Sequence, residues 1–145
     1  KHNGLLSYLS CCLYVFILFF CGYHAIQAAQ ILVGEHDFSS FRAAECQAAT
    51  PVRTIKHLSV RRQGNLICVE ICANAFLQHM VRNIVGSLIY VGIGRESVEW
   101  LTDVLAAKSR SAAAPTFDPA GLYFVGVEYP ESLGLPSRGI SPFGL

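Results

Sequence analysis

Charged residues are scarce in this sequence. Only 14% of its 145 residues are Asp, Glu, Lys or Arg and 52% are apolar, whereas about 25% charged residues is usual for soluble domains. This composition excludes an intrinsically disordered chain and a long coiled coil, since both need many charged side chains. The formal net charge is +1, so any affinity for nucleic acid must come from a local patch and not from a field of the whole protein.

Metal-binding and nucleotide-binding motifs are also absent. No two cysteines have the Cys-x-x-Cys spacing, so we expect no zinc site and interpret the cysteines as reduced apolar thiols. The sequence contains no His-Glu-x-x-His, no Gly-x-Ser-x-Gly and no phosphate-binding glycine loop. Hydrolase and nucleotide-binding functions therefore have no support. The six cysteines are Cys11, Cys12, Cys21, Cys46, Cys68 and Cys72.

Methionine occurs once, at Met80. Lys1 is therefore not a translation start, and we expect the chain to be a piece of a longer protein or a processed one. Residues that a functional site needs are then expected upstream of Lys1.

A long apolar segment without charged residues spans residues 3–23. Its length and hydropathy are typical of a membrane-spanning helix, since about 20 apolar residues cross a bilayer. A secretory signal is an alternative, but no clean Ala-x-Ala cleavage site follows the segment. The third interpretation is that residues 1–23 are not native to the domain that follows them, and the resemblance described below favours it.

The periodicity of the remaining residues predicts an α+β class, with an antiparallel sheet that carries helices on one face. We expect this domain at residues 24–130 and a Gly/Ser/Pro-rich tail at 131–145. The predicted elements are a helix over 24–33, a loop over 34–37, a helical turn over 38–42, hairpin strands over 54–63 and 66–74, a helix from Phe76 to about Gly92, a helix from Val98 to about Lys108, and a strand over 122–129.

Four basic residues lie in a stretch that has no acidic residue between Glu45 and Glu70. They are Arg53, Lys56, Arg61 and Arg62, most of them on the first strand of the hairpin. A strip of cations without a counter-charge fits the phosphate backbone of RNA. A solvated strand edge, on which basic side chains discourage pairing with another sheet, fits the composition equally well.

Arg82 lies in an apolar helix. A guanidinium held close to an apolar surface needs a carboxylate or phosphate partner, and Gly86, one turn later, leaves room for that partner to approach. The alternative is an arginine whose head group extends into water, which the pattern by itself favours. His79 and Asn83 are neighbours of Arg82 and are further candidate substrate-binding residues.

Four ordered blocks of this sequence resemble the C-terminal half of the bacterial-type tRNA pseudouridine synthase A family. The similarity begins near His24 and ends near Pro136. It favours a foreign origin for residues 1–23, because the family has catalytic-domain sequence at that place and no membrane span. The four blocks are Gly34–Ala43, Pro51–Ile55, Ala75–Gly86 and Gly121–Pro130.

The resemblance implies a homodimeric isomerase without a cofactor or metal that converts uridines of the tRNA anticodon arm to pseudouridine. In this family the base is detached from the ribose, turned and rejoined through carbon. The implied compartment is the bacterial cytoplasm or an organelle matrix or stroma, and membrane attachment is not expected despite residues 3–23.

The resemblance also assigns residues to the active site. It implies that Arg82 pairs with a catalytic aspartate, which belongs to a Gly-Arg-Thr-Asp block of the N-terminal half, and that Leu122 lines the uracil pocket. That block does not occur here, where the aspartates are Asp37, Asp103 and Asp118. We therefore expect this chain to be inactive without the missing N-terminal half. Two alternatives stay open: a non-catalytic RNA-binding or dimerisation module, and a small membrane-anchored protein.

Overall fold

The computed structural model describes residues 8–16, 22–129 and 133–134. These residues form one sheet, three α-helices and two 3₁₀ turns at Ser39–Phe41 and Arg110–Ala112. The strands are β1 (Tyr8–Phe16), β2 (Gly34–Asp37), β3 (Val52–Gln63), β4 (Leu66–Ala73) and β5 (Leu122–Glu128). The helices are α1 (Gly22–Ile31), α2 (Met80–Gly92) and α3 (Val98–Ala107).

The sheet has the strand order β2-β3-β4-β1-β5. Every pair of neighbouring strands is antiparallel. Helix α1 packs against β3, and α2 and α3 pack against α1. The predicted α+β class with an antiparallel sheet is therefore confirmed.

The core lies on the apolar face of the β3–β4 hairpin. Leu58 is opposite Ile71 and Val60 is opposite Val69, and all four side chains are buried. Because side chains alternate along a strand, these residues share one face of the sheet. The helices contribute the buried side chains Ala25, Ala28, Ala29, Met80, Ile84, Val85, Leu88, Leu101 and Val104 to the same core.

The predicted hairpin is confirmed. Gly64 and Asn65 join its strands, and the φ of 59° at Gly64 is a conformation that favours glycine. The register shifts between Ile55 and His57, so Lys56 lies at a bulge. Such a bulge changes the direction of the side chain it carries.

The structure corrects the prediction of a loop at residues 34–37. These residues form β2, in which Gly34 is opposite Ile55 and Asp37 is opposite Val52. A four-residue edge strand forms by backbone hydrogen bonds, which need no particular side chains. Its polar sequence therefore gives no strand signal.

The helix predicted from Phe76 begins later, at Met80. His79 has a φ of 61°, which is left-handed and incompatible with a right-handed helix. Phe76 fits the helical spacing of the apolar residues that follow it, but the left-handed backbone at His79 prevents the helix from extending back to Phe76. The helix predicted from Val98 is confirmed, and it ends at Ala107 before the left-handed residue Lys108.

The apolar segment 3–23 is described at 8–16 and from residue 22 onward. Residues 8–16 are β1, which lies between β4 and β5. Among the described residues, no helix has the length and apolar character needed to cross a membrane. The foreign origin of residues 1–23 stays a prediction. The tail predicted at 131–145 lies outside the described residues except for 133–134.

The predicted helical turn that buries two aromatic rings is confirmed, since Phe38 and Phe41 are fully buried. The turn is held at its start by Asp37, whose Oδ1 accepts hydrogen bonds from the Ser39 backbone N at 2.9 Å and from Ser39 Oγ at 2.6 Å. The Ser39 hydroxyl lowers the pKa of the Asp37 carboxyl more than any other group, because it stabilises the ionised form.

We expect Ser39→Ala to raise the pKa of Asp37 toward its ordinary value of 3.8. The stabilising contribution of this carboxylate is present above the unfolded pKa and is lost as the pH falls through the lower folded pKa, so the substitution removes part of it at neutral pH. NMR titration of the Asp37 carboxyl carbon measures the shift. Ser111→Ala is the control. An equal Asp37 pKa in the unsubstituted protein, Ser39→Ala and Ser111→Ala would contradict the prediction.

Candidate functional site

Arg82 lies in the first turn of α2, one residue before Asn83, and is half-buried. Its Nε donates a hydrogen bond to the Phe117 carbonyl oxygen at 2.6 Å. The Phe117 backbone N donates in return to the Arg82 carbonyl oxygen at 3.2 Å. Phe117 therefore holds both the backbone and the guanidinium of Arg82.

The charge of Arg82 has no acidic partner within the described part of the chain, where its one side-chain hydrogen bond is the one to Phe117. The first turn of α2 contains no acidic residue, and the N-terminal end of a helix carries a partial positive charge. Arg82 thus lies in the turn of α2 where the helix adds a positive field. An anion placed here would be stabilised both by Arg82 and by the helix.

Asn83 is fully buried, with 0% of its surface exposed. Its Nδ2 donates to the Phe41 carbonyl oxygen at 2.9 Å. Its Oδ1 accepts from Thr116 Oγ1 at 2.7 Å and from Arg110 Nη2 at 3.0 Å. The amide therefore holds three other parts of the chain, and these contacts favour a positioning role over a direct contact with substrate.

Residues 113–117, which we call the docked segment, lie against α2. The Ala114 backbone N donates to Ser87 Oγ at 3.2 Å. An ideal Cβ at Gly86 would lie 2.5 Å from the Pro115 carbonyl oxygen. The expectation that Gly86 leaves room for the partner of Arg82 is therefore wrong, because the backbone of the docked segment occupies that space.

His79 is exposed and immediately precedes α2. Its backbone oxygen accepts from the Asn83 backbone N at 2.9 Å, and its side chain makes no capping hydrogen bond. A left-handed conformation is uncommon for a residue other than glycine. The imidazole is thus presented at the same end of α2 as Arg82.

Leu122 begins β5, five positions after Phe117, and is half-buried. It packs against the edge of the hydrophobic core, and its backbone N donates to the Pro119 carbonyl oxygen at 3.1 Å. The chain leads from Phe117, which binds Arg82, to the strand that carries Leu122 within five residues.

The four basic residues of the hairpin do not share one face. Arg61 is opposite Cys68 and Arg62 is opposite Ile67, and successive side chains of a strand point to opposite faces. The prediction of a strip without a counter-charge is wrong for Arg61, whose Nη2 lies 3.6 Å from Glu70 Oε2. Glu70 lies nine residues after Arg61, on the neighbouring strand of the same hairpin.

Arg53 and Lys56 both contact neighbouring parts of the protein. Arg53 Nη1 donates to the carbonyl oxygens of Thr50 and Val52 at 2.8 and 2.7 Å. Lys56 Nζ lies 4.8 Å from the centre of the Tyr8 ring, a distance typical of a cation–π contact. The hairpin cations lie on β3, whereas Arg82 lies on α2.

Sequence reasoning missed Arg110, Thr116 and Phe117. Residues 111–120 contain Pro115 and Pro119 and predict an irregular loop, which carries no signal for contacts with a helix. Arg110 Nη2 also donates to Thr116 Oγ1 at 3.1 Å, and partial burial lowers the pKa of its guanidinium. Arg110 begins the 3₁₀ turn before this loop, and its partial burial is the feature that the pattern could not reveal.

A sequence model of the family described as tRNA pseudouridine synthase matches residues 28–130, which is most of this chain. The chain belongs to the tRNA pseudouridine synthase family.

Individual relatives agree with this assignment. The chain is similar to tRNA pseudouridine synthase A of Shewanella pealeana, with 59% identity over 116 residues that make up 80% of this chain and 44% of that protein. It is similar to the protein of the same name from Haemophilus ducreyi, with 57% identity over 119 residues, or 82% of this chain and 46% of that protein. The chain spans less than half the length of these relatives.

We expect Gly86→Ala to destabilise the protein by about 1–3 kcal/mol, because the added methyl group would overlap the Pro115 carbonyl and displace the docked segment. The midpoint of urea unfolding measures the loss. Gly22→Ala is the matched control, since Gly22 begins α1 and an added Cβ there meets nothing within 4 Å. Equal midpoints for the two variants would contradict the prediction.

Proposed function

We propose that this chain supplies the C-terminal half of a tRNA pseudouridine synthase, which isomerises uridine in the anticodon arm of tRNA. The observation that carries the proposal is the half-buried Arg82 guanidinium, which Phe117 orients at the N-terminal end of α2. The proposed compartment is the cytoplasm or an organelle matrix or stroma.

The partner we propose for Arg82 is a carboxylate from a part of the protein outside this chain. An isolated charge near an apolar core is costly, and the described residues place no carboxylate on Arg82. A guanidinium keeps a facing carboxylate ionised by lowering its pKa. The family resemblance implies that this carboxylate is the catalytic aspartate of the N-terminal half.

Exposed aromatic side chains on β5 support a larger assembly. This strand lies at one end of the described sheet, and Phe124 and Tyr123 are 62% and 40% exposed. These two side chains point to opposite faces of the strand, and large exposed aromatic side chains on a strand at the end of a sheet fit a place where further protein packs. The missing N-terminal half and the second subunit of a homodimer are the proposed sources of that protein.

The remaining site residues receive distinct proposed roles. Leu122 lines the pocket for a uracil that has been rotated out of its stack, as enzymes acting on bases require. His79 offers its exposed imidazole to the substrate at the end of α2. Asn83, which is fully buried, positions the docked segment.

The activity is tested by a chimera in which the part of the Shewanella pealeana synthase that precedes its match to this chain is fused to residues 24–145. We expect the chimera, but not this chain by itself, to release tritium from tRNA containing 5-tritiated uridine. Arg82→Ala in the chimera should lower the rate at least about a hundredfold, because it leaves a buried carboxylate unpaired.

Arg95→Ala is the control for Arg82→Ala, since Arg95 is exposed and lies over the Tyr90 ring at the other end of α2. Its rate should equal that of the unsubstituted chimera. Tritium release by the chain alone would contradict the need for a second half. An inactive chimera together with tRNA binding by the chain would favour the non-catalytic RNA-binding module.

We also propose that the hairpin cations contact the tRNA backbone, and the test uses Lys56 and Arg62. Lys56 and Arg62 are both exposed. Each lost phosphate contact should lower the slope of log K against log salt by about one.

The double variant Lys56→Gln/Arg62→Gln should therefore flatten the salt dependence of tRNA binding by about two. Filter binding or fluorescence anisotropy across a salt series measures the slope. Arg95→Gln/Lys108→Gln removes the same charge from the exposed surface around α3 and should keep the original slope. Parallel slopes for both double variants would remove the hairpin from the proposed interface.

A further inference from the structure

We infer that Arg110 is a positioning residue for Arg82, acting through Asn83, Thr116 and the docked segment. Its relevance to catalysis rests on the proposed function. Two sets of contacts carry the inference. The first is the set of hydrogen bonds among Arg110, Asn83 and Thr116. The second is the pair formed by Phe117 and Arg82.

Arg110 is a half-buried cation with no acidic partner among the described residues. Burial disfavours its charge, as the lowered pKa of its guanidinium indicates. Its Nη2 donates to Asn83 Oδ1 at 3.0 Å and to Thr116 Oγ1 at 3.1 Å. Hydrogen bonds from a charged donor are stronger than neutral ones, so these two bonds offset part of the desolvation cost.

The group is closed because Thr116 Oγ1 itself donates to Asn83 Oδ1 at 2.7 Å. One buried amide oxygen thus receives two donors, and each donor also contacts the other. The Asn83 Nδ2 is left to bind the Phe41 carbonyl oxygen at 2.9 Å. These bonds hold Thr116 against Asn83 of α2, whereas the next residue, Phe117, contacts Arg82.

Thr116 is bonded directly to Phe117, and the peptide unit between them is rigid. A shift of Thr116 therefore moves the Phe117 backbone N, which lies 3.2 Å from the Arg82 carbonyl oxygen. The rest of Phe117 follows, including the carbonyl oxygen that lies 2.6 Å from Arg82 Nε. A displacement of about 1 Å is enough to lower a catalytic rate roughly a hundredfold when a group must be held in a reactive geometry. Arg110 thereby controls the direction of the Arg82 guanidinium without touching it.

The first test uses the full chain labelled with ¹⁵N-arginine and follows hydrogen exchange at Arg82 Nε. Thr116→Val removes the hydroxyl while keeping the shape of an exposed side chain, and Arg110→Met removes the charge. We expect each to speed Arg82 Hε exchange about tenfold, since the hydrogen bond to Phe117 is weakened. Thr116→Ser should restore the original rate.

Ser111→Ala is the matched control. Ser111 lies in the same 3₁₀ turn as Arg110, is exposed, and bonds through its hydroxyl to Ser109 Oγ at 2.9 Å. Its Arg82 Hε exchange should equal that of the unsubstituted chain. Unchanged exchange in both Thr116→Val and Arg110→Met, or an equal change in Ser111→Ala, would overturn the inference.

The second test places the same substitutions in the active chimera. Thr116→Val should lower kcat about tenfold with KM unchanged, because the misdirected group acts in the transition state, and Thr116→Ser should restore kcat. A rise in KM with constant kcat would overturn the positioning role. An unsubstituted chimera without activity would overturn the proposed function, and the exchange comparison would then decide the positioning of Arg82 independently.

Discussion

The reciprocal pairing of Arg82 and Phe117 is the contact on which the candidate site depends. One residue of an irregular segment accepts from the Arg82 side chain and donates to its backbone. An arginine has several rotatable bonds and loses much freedom when it is fixed, so a single short hydrogen bond to a rigid carbonyl has a large effect on its direction. The site is therefore built as much from residues 113–117 as from α2.

Close approach makes this pairing possible. Gly86 has no side chain, and the Pro115 carbonyl occupies the place where a Cβ would stand. Ser87 and Asn83 add hydrogen bonds to the same segment, so α2 contacts it over more than one turn. The consequence is a cationic group at the positive end of a helix, an arrangement that is unfavourable by itself. A carboxylate supplied from elsewhere in a complete synthase would relieve it.

Much of the fold and part of the site could be predicted from the sequence. Alternation identified the hairpin, and helical spacing identified α3 and most of α2. Arg82 stood out because a charge interrupts an apolar helix. Polar residues 34–37 gave no strand signal, since their pairing with β3 uses backbone atoms. The start of α2 was misplaced because the left-handed backbone at His79 leaves no mark in the apolar spacing.

The sequence by itself determined the class of the fold and the family, because both follow from periodicity and from ordered blocks of residues that are local along the chain. Only the tertiary structure decided which groups meet. It brought Glu70 to Arg61 across the hairpin and the Pro115 carbonyl into the space beside Gly86. It also joined Arg110 to Asn83. The first contact depends on the register of the hairpin. The other two link residues far apart in the chain, and their geometry depends on how the sheet and its helices pack.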